Sequence, residues 1–232
     1  FKLIFVAIIT LFFAAIIFGD LGGALISALI LIVLAFLIFG IKLAIYGVSF
    51  LFLLSLLLLS TNKVQDRVNL MLEPMYASVS DFARLIGFSM NSYPEGYGIG
   101  KIEWCSNGGI CLPLQSLSDY VPTLIHGAVG STNANIIFIV FCLFFGFISF
   151  RSMYCFLLPN FKYKLLAIFI FYCSTAYLIQ TLVTYFGNWR IIPLTGLSVP
   201  FISIGFSSMI FPCFIVGMFL ALTSYEKFEK KI

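Results

Sequence analysis

The chain has 232 residues, 62% of them hydrophobic and 9% charged, with a mean hydropathy of +1.12. A soluble domain carries about a quarter charged residues, so this composition excludes an ordinary water-soluble globule, and its apolar content excludes a disordered chain. The net charge of +4 comes from 13 scattered basic residues that form no patch with interleaved aromatics, which excludes a nucleic-acid partner. What remains is an all-α, polytopic transmembrane helix bundle of about six spans, one integral membrane domain over residues 1–232 whose partners include membrane lipids.

A spanning helix needs about 20 mainly apolar residues. Six runs approach that length: 3–19, 21–40, 43–60, 134–150, 165–184 and about 200–221. The first run begins at Phe1 with no basic flank beyond Lys2 and no small-residue cleavage pattern. It resembles a chain whose beginning is cut more than a signal peptide. Asp20 separates the first two runs and Lys42 the second and third, so these hairpins are tight and their helices antiparallel. Taken alone, Asp20 marks a turn, and Gly22 and Gly23 permit close helix packing.

The only long polar region is 61–133. A structureless stretch of that length is unusual, so it is expected to be folded. The run MLEPMYASVSDFARLIGFSM has apolar residues at helical spacing after Pro74, which predicts an amphipathic helix at the membrane interface or half-buried in the bundle. Cys105 and Cys111 share this region and pair only if it faces an oxidising compartment; otherwise they are free thiols. Cys142, Cys155, Cys173 and Cys213 lie in or beside apolar runs, which excludes a secreted disulfide framework.

Alternating six spans across a membrane sorts the charges into two sets. Lys2, Lys42, Arg151, Lys162, Lys164, Lys227, Lys230 and Lys231 share one side with only Glu226 and Glu229. The basic excess makes that side cytoplasmic, with both ends of the chain, and makes 61–133 extracytoplasmic.

Chemistry-bearing residues are few. Asp119 lies between Pro113 and Pro122 where the chain returns to the membrane; a carboxylate there is either functional or paired, or serves as a helix cap or loop solubiliser. His126 is the only histidine and has no Cys or His at zinc-ligand spacing. The glycines of GYGIGK and SNGG lack the spacing of a phosphate-binding loop.

Four blocks, in this order, resemble the SEDS family, the FtsW/RodA/SpoVE group of bacterial shape, elongation, division and sporulation proteins. Gly19-Asp20-Leu21-Gly22-Gly23-Ala24, followed by Phe39-Gly40-Ile41-Lys42, is similar to QPDLGTA and the FxAG-plus-basic helix end. Gln65-Asp66-Arg67-Val68 through Glu73-Pro74 is similar to RDRI…LDP. Tyr97-Gly98-Ile99-Gly100, then Leu112-Pro113 to Asp119-Tyr120, is similar to GxGLG and LPEAHTDF. The most specific is Pro193 to Ser208, PLTGLSVPFISIGFSS, with Gln180 ahead of it, which resembles Q…GLLPVTGLPLPFVSYGGSS. The resemblance covers nearly all of this chain but only the C-terminal part of the ten-helix family fold.

The resemblance implies a peptidoglycan glycosyltransferase that polymerises lipid II at the outer face of the bacterial plasma membrane, partnered by a class B penicillin-binding protein. Asp119 matches the family's acidic residue, and a carboxylate suits removal of a proton from an acceptor sugar hydroxyl. Arg67, and after it Arg190, Lys101 and Arg84, are the candidates to neutralise the departing pyrophosphate, with or without a divalent cation such as Mg or Mn. Gln180, Thr195, Ser203 and Ser207 are further candidates for the substrate groove. Asp20, Gly22, Pro193, Gly196, Pro200 and Gly205 are expected to shape the backbone.

The departures are definite. The His-Thr before the family's aspartate is Leu117-Ser118, and GEELG is His126-Gly127-Ala128-Val129-Gly130 without its glutamates. A weakly active scaffold that activates a penicillin-binding protein is therefore an alternative, as is a lipid-linked precursor flippase. Physically, Pro193 and Pro200 forbid a regular helix after Arg190, and Thr195 and Ser203 are placed to satisfy the exposed backbone. The stretch is expected to be an outer loop diving back to begin the last helix near Pro200.

Overall fold

In this computed structural model the described residues are 21–40, 42, 45–49, 52, 62–72, 120–158, 162–189, 191–192 and 196–229. Every regular element among them is helical: α1 (Leu21–Phe39), α2 (Asn62–Leu72), α3 (Val121–Val129), α4 (Ser131–Leu157), α5 (Lys164–Asn188) and α6 (Phe206–Glu229). Among the described residues three helices are long and apolar enough to cross a membrane: α4, α5 and the Ser208–Glu226 part of α6. They carry the fourth, fifth and sixth expected spans. α1 occupies the second expected run and contributes the shorter apolar stretch Ile26–Phe36. The run 3–19 lies outside the described residues, as does the amphipathic helix expected after Pro74.

The turn after α1 has a local cause. Gly40 adopts φ +85°, a conformation that costs glycine little, and its N–H closes the helix on the Phe36 carbonyl at 2.9 Å. The chain then reverses, and the helical residues 45–49 come back against α1. A Cβ on Gly47 would sit 2.8 Å from Ile32 Cγ1, so glycine is what permits this approach. Most of the third expected run, 43–60, lies outside the described residues.

α5 is the central helix. α4 packs along it, and α1, α3 and α6 each contact it as well. Ile148 and Cys155 of α4, Ala167 and Ile170 of α5, and Ile215, Phe219 and Leu222 of α6 form one core. Ile26 and Ile30 of α1 form a second with Leu197, against Tyr172, Ala176, Ile179 and Val183 of α5. Several polar side chains inside the spanning helices close bonds locally, as bilayer burial favours. Ser174 donates to the Ile170 carbonyl at 2.7 Å, and Ser149 and Thr175 join α4 to α5 at 2.6 Å. The opposite face of α4 carries exposed Ile136, Ile139, Leu143, Phe147, Phe150 and Leu157, a stripe suited to acyl chains. The four cysteines of these helices are free thiols.

Antiparallel packing gives the bundle two ends. Arg151 near the end of α4 and Glu226 near the end of α6 share one. The other holds α3, the C-terminus of α5 and the chain beyond it.

Candidate functional site

At that second end, α3 is short because of its two flanks. Pro122 sits in its first turn, where a missing N–H costs nothing, and Gly130 follows with φ 84°, ψ 161°. That backbone conformation is open to glycine alone, so the chain breaks between α3 and α4 there and nowhere else in 121–157. The last carbonyls of α3 are satisfied by the Gly130 N–H on His126 and the Asn133 amide on Val129, at 3.0 and 2.9 Å.

α3 is held to α5 by a line of hydrogen bonds. The Thr123 hydroxyl donates to Asn188 Oδ1 at 2.7 Å, and Asn188 Nδ2 donates to the Thr184 carbonyl at 2.8 Å. The Thr184 hydroxyl then donates to the Leu197 carbonyl at 2.9 Å. One turn along α5, Gln180 Nε2 donates to the Ser198 carbonyl at 2.7 Å. Three segments distant in sequence thus meet through four side chains. Val121, Phe138 and Val199 pack beneath them with Ile125, Tyr185 and Ile202. Tyr185 also donates to Asn135 of α4.

The loop 196–205 descends along α5 into the bundle. Gly196 and Phe201 have φ of 68° and 64°, and the Phe201 ring stacks on Phe145, in the middle of α4, at 5.9 Å. Irregular backbone at this depth survives only with its polar groups satisfied, and the local serines do that. Ser203 Oγ accepts the Val199 N–H at 2.6 Å, while the Ser203 N–H reaches the Val199 carbonyl at 3.0 Å. The Ser208 hydroxyl donates to the carbonyls of Ser203 and Gly205 at 2.6 and 2.9 Å.

Pro212, inside α6, completes this arrangement. A proline has no N–H, so the carbonyl four residues earlier, that of Ser208, has no helical donor. That carbonyl accepts the Phe201 N–H instead, at 2.8 Å. The last helix accordingly starts at Phe206, not near Pro200 as expected, and 200–205 are turns. Pro200 removes one donor, and the capped Ser203 turn with its neighbour Gly205 replaces the missing helical bonds.

Of the sequence candidates, Gln180, Ser203, Gly196, Pro200 and Gly205 come together here. Gln180 and Ser203 act on the backbone of the loop. Ser207 lies in the first turn of α6, Gly22 in that of α1, and Arg67 within α2. Asp20, Arg84, Lys101, Cys105, Cys111, Asp119, Arg190, Pro193 and Thr195 lie outside the described residues. Tyr120, next to Asp119, is buried where α3 begins. Among the described residues no three His, Cys, Asp or Glu side chains converge.

No family model, no curated protein and no solved structure matches the chain.

Sequence reasoning missed Asn188 and Thr123. Both are polar residues inside otherwise apolar helical stretches, and that is the signal that marks them. It also gave His126 no part in this junction, although the ring is fully buried in it.

Proposed function

We propose that the chain is a divergent member of the SEDS family that polymerises lipid II at the outer face of the bacterial plasma membrane. The observation that carries this reading is the bonding of Gln180 to Ser198 and of Thr184 to Leu197. The outlying glutamine and the GLSVPFIS part (196–203) of the stretch that resembles the family's most specific motif are thereby parts of one physical unit. α3, which directly follows the Asp119 segment, is tied to the same unit through Thr123 and Asn188.

In this reading the Asp119 carboxylate accepts the proton of an acceptor sugar hydroxyl as its oxygen bonds to the anomeric carbon. The bond from that carbon to the lipid pyrophosphate breaks, and the pyrophosphate leaves with the electron pair beside Arg67, Lys101, Arg84 or Arg190. A divalent ion, where bound, adds charge neutralisation to that leaving group. The polyprenyl chain lies against the apolar helices. The end carrying α3 faces outward and the Arg151–Glu226 end faces the cytoplasm.

The test is polymerisation of lipid II by the full chain in membranes, alone and with a class B penicillin-binding protein. Asp119→Ala is expected to abolish polymer while leaving thermal unfolding unchanged; full activity in that variant removes the role assigned to Asp119. A second reading, a non-catalytic activator of the penicillin-binding protein, is favoured by one observation: α3 contains no carboxylate where the family motif has two. Polymer formed only by the partner, and stimulated equally by wild type and Asp119→Ala, selects that reading.

A further inference from the structure

His126 is fully buried on α3, and among the described residues neither nitrogen of its imidazole has a hydrogen-bond partner. Its ring meets Trp189 edge-on at 5.5 Å and Tyr185 at 5.9 Å, both on α5. A buried imidazole in such a place favours its neutral form, because a proton would add a buried charge that no described acceptor stabilises. Burial accordingly holds its pKa below the ordinary value of 6.5.

The neighbours offer no compensation. On α5 the titratable side chain facing the imidazole is Tyr185, whose own neighbours on α4 are the uncharged Asn135 and Phe138. From the loop, Val199 packs against α3, and α3 itself contains no carboxylate. None of these described groups balances an imidazolium.

The helix bearing His126 is short and ends at a glycine joint. Its nine residues join α4 through Gly130, whose φ and ψ only glycine adopts readily. Apart from apolar contact, the described bond holding it to α5 is that between Thr123 and Asn188.

We propose that α3 is an acid-released arm: neutral His126 packs it against α5, and protonation of His126 swings it out about Gly130. His126 is therefore a positioning residue, and its role stands on this geometry whichever reaction the chain performs.

The sign follows from linkage. The docked state binds the proton less readily than the released state, so acid favours release. Docking is at full strength above pH 6.5, weakens as pH falls below that value, and is lost once pH passes the lowered pKa.

The test uses the full chain in lipid nanodiscs with Trp104→Phe, so that Trp189 is the only tryptophan. Its emission is followed from about pH 8 to about pH 4. A red shift with a midpoint below 6.5, absent when His126→Gln is added, is the expected result. In the unmutated chain, amide exchange corrected for intrinsic pH dependence is expected to show 121–129 losing at least about tenfold protection relative to α4 at the acid end. Unchanged protection of 121–129 overturns the proposal, as does a red shift that persists in His126→Gln. If that variant does not fold, the exchange measurement on the unmutated chain decides alone. Neither readout involves substrate, so failure here is separable from failure of the polymerase reading.

Discussion

Arg151 of α4 and Glu226 of α6 form an ion pair at 2.6 Å in which the two partners are unequally buried: the carboxylate side chain is 3% exposed and the guanidinium 34%. The Cys155 thiol adds a weak 3.6 Å contact to the same oxygen, and the guanidinium lies over the Tyr154 ring at 5.2 Å. The inequality predicts unequal mutants. Arg151→Ala removes the guanidinium from a buried carboxylate and is expected to cost about 2–3 kcal/mol, less than a fully buried pair would. Glu226→Gln leaves a cation that already reaches the surface, at about 1 kcal/mol. Thermal unfolding in detergent micelles measures both, and equal losses contradict the asymmetry.

Asn188 is the hinge of the hydrogen-bond line from α3 to the loop, accepting from Thr123 and donating to Thr184. Asn188→Leu keeps the volume but leaves the buried Thr123 hydroxyl without this acceptor, for an expected loss of about 2 kcal/mol. Thr123→Val removes the donor and is expected to cost about 1 kcal/mol. Amide exchange of 121–129 should rise in both variants. Unchanged exchange with Asn188→Leu shows that the apolar contacts alone hold α3.

Gln180 and Thr184 hold adjacent carbonyls of the loop, those of Ser198 and Leu197. Gln180→Ala and Thr184→Val are each expected to destabilise by about 1 kcal/mol. Because both restrain the same two residues, the double variant should fall short of additivity by about 0.5 kcal/mol or more. Strict additivity in a double-mutant cycle means that the two bonds act independently.

Pro212→Ala returns an N–H to α6, one turn beyond Ser208. That N–H competes with the Phe201 N–H for the Ser208 carbonyl. The variant is expected to straighten the start of α6 and to raise amide exchange at Phe201, whatever it does to overall stability. Exchange at Phe201 that stays slow removes the competition.

Phe201 holds φ 64°, a conformation costly for an aromatic residue by about 1–2 kcal/mol. Its ring compensates by stacking on Phe145 and by edge contact with Phe144. Phe201→Gly relieves the backbone but loses this packing, worth more than the strain at about 3 kcal/mol with burial included. A net loss of about 1–2 kcal/mol is expected, and a stabilised variant shows that the strain outweighs the ring.

Much of the helical framework was legible in the chain. The apolar runs 21–40, 134–150 and 165–184 are α1, α4 and α5 to within a turn or two, because hydropathy over a spanning length is a local property. Lys42 was read as the break between the second and third runs, and α1 ends just before it. The start of α6 was misplaced because the Pro212 to Ser208 to Phe201 relation crosses the boundary itself: the freed carbonyl and its new donor are seven residues apart on opposite sides of it. Gln180 was found by family resemblance. What it does, holding the Ser198 carbonyl, followed only from the structure.

Composition and hydropathy by themselves determined that this is an apolar, helical chain with segments long enough to cross a membrane. Those quantities depend on each residue's own transfer free energy and on neighbours within a turn. Only the tertiary structure decided which polar side chains meet. Thr123 and Asn188 stand 65 residues apart, and Arg151 and Glu226 stand 75 apart. A buried polar group must find a partner, but nothing local says which one; packing of α3, α4 and α6 around α5 makes that choice.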